Sequence, residues 1–479
     1  MSCRLKAIFS LLLLCYGPQT WGQADDYTPL SRTFPDSARI VEDLKESVKA
    51  EKDKNPKQQP RHELLDQRHD RFLSQFQGGE FIYDQKLQAF FDRVLGNILD
   101  SNPEVPREGI RLYLTGVPVP NAACWGDGNF TFNLSLLRRL NSEDEVAFVL
   151  CHELAHYMLE HVPTAMLSYS ERISSKETKK KIKEIERMEY GARAEALQLV
   201  RELVFDGRRH SRFNEGQADS LGLELLLKTA YDPRAAISCL GVLDQSDEPK
   251  YNEPFEPEKF FVHPDYPYRS RWAPQTNNFQ YAESLSELDE DSLKTHPNCN
   301  ERIGQLAVKI NGLDIGEREP RKGKVFEELI RQSDFEFVES HYRNGDLGAC
   351  LMAIYRLRHV YPDHPWLISR LGQCFHRLYR GRKNHKMGTL LAFPTPRTEK
   401  EYREMLGILN NLRMSEMAKA GFFYLDHYLD KIESHEPALA VYVALAKGTG
   451  KEELFVKAEA HYKEKFPSGT LLNRYHLTN

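Results

Sequence analysis

Apolar residues begin to recur at three- and four-residue spacing from about Tyr83. Leu87, Phe90, Phe91, Val94, Leu95 and Ile98 mark one face of a helix. Arg111-Leu112-Tyr113-Leu114 alternates as a strand does, and Asn129 to Leu134 alternates again after the turn residues Gly126, Asp127 and Gly128. A strongly apolar helix is predicted from Ser142 to His161, with Ser142 as N-cap and Glu145 three residues on, the pattern of a capping box. Residues 170–210 are dense in charge, and the run KETKKKIKEIER reads as a solvated helix face. An amphipathic helix pair is predicted over 211–246, around Tyr231-Asp232-Pro233. Upstream, 25–75 reads as a loosely attached polar leader with one or two helices.

Residues 247–292 form a long irregular insertion rich in Pro, Asp and Glu. From about Lys322 the pattern is helical throughout. Gly345-Asp346, Cys350, Tyr361-Pro362, Trp366 and Leu371-Gly372 resemble a tetratricopeptide-type repeat, and Lys457-Ala458-Glu459-Ala460 with Phe466-Pro467 repeats its end. Pro362 and Pro467 are separated by about three repeats of ~34 residues. An ordinary helical bundle is the plainer alternative.

The 479 residues suggest roughly three units of about 150, or two with a long insertion. A net charge of -5 gives no electrostatic reason to expect a nucleic-acid partner. A mean hydropathy of -0.58 excludes a multi-span membrane protein. Arg4 and Lys6 precede a short apolar core, Ala7 to Cys15, and Gly22-Gln23-Ala24 is a small-x-small cleavage site. Residues 1–24 therefore read as a secretory signal peptide, which makes the protein exported: periplasmic or outer-membrane-associated if bacterial. Leu14 is too large for a lipoprotein site before Cys15. Cys124, Cys151, Cys239, Cys299, Cys350 and Cys374 remain, with no CxxC pair, and read mostly as buried small hydrophobes.

The chemistry is concentrated in His152-Glu153-Leu154-Ala155-His156. Residues four apart on a helix lie about 40° apart around its axis, so both imidazoles can grip one metal. Glu153 stands beside them as general base. A catalytic zinc needs a third protein ligand and an open position. His161 is five residues beyond His156, about 140° around a straight helix with no glycine break, and reads as structural. Glu215 and Asp219 share a face of the helix that follows. Glu215 is the candidate third ligand, and Asp219 a candidate acceptor for the second N–H of a ligand histidine.

Four stretches in this order resemble metallopeptidase family forty-eight, the gluzincins that include the HtpX-type and CAAX-prenyl-endopeptidase-type proteases. They are Pro120-Asn121-Ala122 with the strand after Gly126, the HELAH at 152–156, the ExxAD at 215–219, and Thr295-His296-Pro297 with Arg302-Ile303. The resemblance covers roughly 80–310. It implies an α+β, mainly α, fold: a zincin-like metallopeptidase domain over 76–321, followed by a tetratricopeptide-like helical domain over 322–479. With the signal peptide it points to the exported bacterial branch, which acts in envelope protein quality control and outer-membrane assembly. Two features depart from the family: Cys124-Trp125 after the Asn-Ala pair, and a long segment before Thr295 in which Phe260-Phe261-Val262-His263-Pro264 is expected to lie over the cleft.

The expected protein is a zinc-dependent endopeptidase. Zn2+ sits on His152, His156 and Glu215, Glu153 activates water, and the strand at 129–134 pairs with an extended protein or peptide substrate. His296 or Arg302 stabilises the oxyanion. His296 is alternatively a fourth ligand that keeps the site latent, with His263 the second candidate for that part. The C-terminal helices are expected to choose substrates or envelope assembly partners. The competing class is a repeat-bearing chaperone or assembly factor with a mainly structural zinc. Glu153 argues against it, since a structural site needs no general base.

Overall fold

The computed structural model describes residues 27–54, 59–188, 195, 212–274, 299–316, 318–394 and 398–475. The signal-peptide segment and Thr295-His296-Pro297 lie outside these. The architecture is α+β and mainly α: a small sheet with its helices, followed by a helical C-terminal region.

The sheet has four strands, β1 (Phe81–Ile82), β2 (Arg111–Thr115), β3 (Ala122–Cys124) and β4 (Asn129–Asn133), in the order β1-β2-β4-β3. β2 and β4 run parallel with Arg111 opposite Asn129, and β3 returns antiparallel with Ala123 opposite Thr131. β4 is thus paired on both sides and has no free edge for a substrate. The strand that the alternation singled out is interior, and the edge belongs to the three residues before the Gly126 turn. Gly126 and Gly128, at φ 85 and 87, make that turn with a backbone that side chains other than glycine's rarely adopt.

The helix that carries the histidines, α5 (Glu143–Met158), is fixed at its start by charge. Ser142 accepts from the Glu145 amide at 3.2 Å, while Glu145 reaches back one residue beyond the cap to the Asn141 amide, at 2.6 Å. Glu143, Asp144 and Glu145 fill the first turn, where the helix dipole favours anions. All three are buried and all are paired. Glu143 holds both nitrogens of Arg93 at 2.6 and 2.8 Å from α3 (Gln85–Ser101). Asp144 accepts the Asp232 and Arg321 amides. Glu145 accepts from Ser238 on α9 (Ala235–Asp244). Phe91 on α3 meets Phe132 of β4 at 4.8 Å beneath this helix.

The leader is not loosely attached. Its helices α1 (Ser37–Lys54) and α2 (Gln59–Gln77) lay Leu44, Phe72 and Phe76 against Phe81, Tyr113 and Trp125 on the sheet. Those apolar positions are diluted by charge along the chain, which hides the buried face from a composition reading. Ahead of α1, a strap from Tyr27 to Phe34 crosses to α12 (Lys324–Asn344). There Tyr27 and Arg32 both bind the buried Glu336 carboxylate, which also accepts the Leu30 amide at 3.2 Å.

The C-terminal region stacks α13 (Leu347–Val360), α14 (Pro365–Lys383), α16 (Met414–His427) and α18 (Glu436–Gly448) around a common apolar core. Cys350 and Cys374 meet inside it, Sγ to Sγ at 3.5 Å, as free thiols. This core also takes in part of the irregular insertion. Phe255, Phe260, Phe261, Tyr266 and Trp272 are all buried in it. Tyr266 stacks on Phe423 at 5.3 Å, and Trp272 donates from its indole nitrogen to Glu416 at 3.2 Å. The described part of 247–292 therefore lies against the C-terminal helices and not over the helix that carries His152 and His156. Its aromatic residues need an apolar surface, and those helices provide one.

Trp272 is 1% exposed and spans Phe261, Tyr266 and α16. Trp272→Ala is expected to remove about 3–5 kcal/mol from the stability of this unit, read as a lowered urea midpoint. A C-terminal fragment beginning at residue 322, which lacks the insertion, is expected to be unstable in the same assay.

Candidate metal centre

Two helices cross to make the site. α5 brings His152, Glu153 and His156; α8, the helix described over 212–227, brings Glu215 and Asp219. The crossing is close because residue 222 is glycine. A Cβ there would sit 3.1 Å from both the Cα and the amide nitrogen of His152. The HELAH and ExxAD segments are thereby pressed together at His152, His156 and Glu215.

His152 Nε2 lies 3.1 Å from His156 Nε2, and Glu215 approaches the two at 3.5 Å each. Atoms held at ~2.0–2.1 Å in a tetrahedron stand about 3.3 Å apart, so these three donors have the spacing of a zinc ligand set. Among the described residues, His152, His156 and Glu215 are the group that could hold a metal ion.

Charge behind these three donors is ordered. His152 Nδ1 lies 3.0 Å from Asp219. Asp219, 2% exposed, accepts from Arg302 Nε and Nη2 at 2.6 and 2.8 Å. The third guanidinium nitrogen lies 3.2 Å from Glu215. Arg302 comes from α11 (Cys299–Asn311) and is engaged by these two carboxylates. Burial pushes the Glu215 carboxyl up, but the two histidines and Arg302 outweigh it and hold it well below the usual range. Burial opposes a charge on His152, yet Asp219 and Glu215 outweigh it and lift the imidazole to about 10.

The front of the site is the sheet edge. Ala123 and Trp125 face β4, and alternation turns the amides of Ala122 and Cys124 outward. The Cys124 amide donates to Glu153 Oε2 at 2.7 Å. The Cys124 thiol is pushed up to about 12 by burial and by the Glu153 carboxylate, and so stays a neutral thiol. A cavity of ≈ 290 Å³ opens here, walled by Ala122, Leu136, Phe148, Val149 and Leu240 beside the ligands.

The other candidates fall elsewhere. His263 sits on the C-terminal helices: Nδ1 accepts the Asp265 amide at 3.0 Å, and Nε2 lies 3.3 Å from Asp426 on α16. His296 lies outside the described residues. His161 is not where a straight helix would carry it. α5 ends at Met158, Glu160 takes a left-handed conformation (φ 51, ψ 34), and α6 (His161–Ser174) starts in a new direction. His161 Nδ1 thereby comes within 2.9 Å of His156 Nδ1. No glycine signals this break in the sequence. The pairing of Arg302 with Asp219 also escaped the sequence reading, because 83 residues separate them and neither stands in a local pattern with the other.

Residues 84–309 match the family model described as Peptidase family M48. A beta-barrel assembly-enhancing protease of Yersinia pestis is 28% identical over 187 residues, which are 38% of this chain and 37% of that protein. The match thus spans little more than a third of the relative's length.

Arg302→Met is expected to leave two buried carboxylates, Asp219 and Glu215, without their guanidinium and with only the histidines to answer them. The cost is about 3–5 kcal/mol of folding free energy, read by urea unfolding of the metal-free protein.

Proposed function

We propose that this chain, which carries an M48 peptidase domain over residues 84–309, is a zinc-dependent endopeptidase of the cell envelope. The observation that carries the reading is the donor triangle of His152, His156 and Glu215, with Glu153 beside it, opening on a cavity at a sheet edge. A zinc ion held there would supply the Lewis acidity that activates water and polarises a peptide carbonyl.

The chain's own residues do the rest. Glu153 is the general base: the Cys124 amide fixes one carboxylate oxygen and leaves the other to take the proton from attacking water. The outward backbone of Ala122 on β3 would pair with an extended peptide, in the part first given to the 129–134 strand. The apolar wall of Leu136, Phe148, Val149 and Leu240 would receive an apolar substrate side chain. Asp219 orients His152, and Arg302 holds Asp219 and Glu215 in place, so we assign Arg302 to positioning and not to the oxyanion. The part of His296, as oxyanion partner or as a fourth ligand that keeps the site latent, rests on the sequence alone.

Export rests on the signal-peptide pattern of residues 1–24. No helix among the described residues is long and apolar enough to cross a membrane. The likeness to a beta-barrel assembly-enhancing protease of Yersinia pestis supports a place in the assembly of β-barrel proteins. Protein substrates and assembly partners would meet the tetratricopeptide-like C-terminal helices. The aromatic residues of the insertion are already buried against those helices, so the part of the surface they cover is not open to a partner.

Glu153→Gln is expected to retain one zinc per chain, measured by mass spectrometry. Its casein hydrolysis should fall by on the order of 10²–10⁴-fold. His156→Ala should lose both metal and activity. Full proteolysis in Glu153→Gln would sink the mechanism. A zinc-loaded wild type with no proteolysis would favour the chaperone reading with a structural zinc.

A further inference from the structure

The left-handed turn at Glu160 has a cost and a visible result. Residues other than glycine adopt that conformation reluctantly. Here it lets the chain leave α5 and bring His161 back against the metal-facing helix, 7% exposed. The start of α6 is seated on the β3–β4 turn, where Gly126 leaves room for Val162; a Cβ on Gly126 would come within 2.9 Å of the Val162 side chain. His161 then has a neighbour at each ring nitrogen: His156 Nδ1 at 2.9 Å and Gln217 Oε1 at 3.3 Å.

We infer that His161 is a positioning residue that holds the metal-facing His156 through its Nδ1, and that Gln217 holds His161 in turn. The inference rests on reading His152, His156 and Glu215 as a metal centre. The hydrogen-bond inventory then has one consistent solution. His156 turns Nε2 toward His152 and Glu215, so its proton belongs on Nδ1. That N–H donates to His161 Nδ1, which must be the unprotonated nitrogen. His161 carries its proton on Nε2 and donates it to Gln217 Oε1, an oxygen that can only accept. His161 cannot itself be a ligand here, because it lies against the side of the His156 ring remote from Nε2.

The two ligand histidines are thus oriented differently. His152 is backed by a buried carboxylate that Arg302 neutralises, and His156 by a neutral imidazole. α8 serves both, since Glu215, Gln217 and Asp219 are alternate residues of one segment. An orienting partner of this kind is typically worth about 10–100-fold in metal affinity.

The test uses the full chain and zinc alone, with affinity read by competition against a chromophoric chelator. His161→Phe keeps an aromatic ring of similar size and removes the acceptor; it should weaken zinc binding by about 10–100-fold. His161→Asn restores an acceptor oxygen and should recover part of that loss. The visible spectrum of the cobalt-substituted protein should shift in the phenylalanine variant and return toward wild type in the asparagine variant. Gln217 is exposed, so Gln217→Leu leaves the fold intact and should weaken zinc in the same direction. Zinc affinity in His161→Phe within about twofold of wild type would overturn the inference. So would an asparagine variant no better than the phenylalanine one, which would reduce His161 to packing. A wild type that binds no zinc would instead overturn the metal-centre reading beneath it. If wild type binds zinc and Glu153→Gln abolishes proteolysis while His161→Phe changes nothing, only the positioning role fails.

Discussion

The structure depends on one close crossing, that of α5 over α8. Two polar segments far apart in the chain meet with the side-chain atoms of His152, His156 and Glu215 within 3.1–3.5 Å of one another, beside a wall of apolar side chains. A side chain at residue 222 would hold the helices apart, and glycine there lets the backbone of His152 approach. The polar groups so buried are tolerable because each is answered by another: histidine by carboxylate, carboxylate by guanidinium. The site and the crossing are therefore one arrangement. Loosening the helix contact would strand the charges, and removing a charge partner would strain the contact.

The same logic recurs at the start of α5. Three consecutive acids there would repel one another in isolation. Each is instead tied to a different neighbour: Glu143 to α3, Asp144 to Arg321 and the Asp232 amide, Glu145 to Ser238 on α9. The histidine helix is thus clamped at its N-terminus and released at its C-terminus by the left-handed Glu160. Rigidity at one end and redirection at the other leave the HELAH turn held in front of the sheet edge.

The two parts of the chain are joined by more than succession. The Tyr27–Phe34 strap runs from the sheet to the buried Glu336 of α12. Arg138, just after β4, meets Asp334 on the same helix at 2.7 Å, and Lys250 and Tyr251 from the insertion converge on that carboxylate. Further along, the insertion becomes part of the C-terminal core through Phe260 and Trp272. A cut at residue 322 therefore separates segments that are packed together.

The sequence by itself determined whatever is local. Side chains four apart on a helix share a face by the helix alone, so the juxtaposition of His152 with His156, and of Glu215 with Asp219, was legible from spacing. So were β2, β4, the main helices and the capping serine, which follow from periodicity and from one residue's reach; the short β1 and β3 carry too few residues to show an alternation. Tertiary structure decided what depends on distant partners. The 129–134 alternation reads the same for a middle strand as for an edge strand, and only pairing with β2 and β3 made β4 interior. Arg302 could point anywhere until Asp219 was placed beside it. His161 was assigned to a helix that continues, because no glycine marks the break. The aromatic residues of the insertion announced burial but not against what. In each case the deciding energy comes from a contact across many residues of chain, and a contact of that kind leaves no periodic trace in either segment alone.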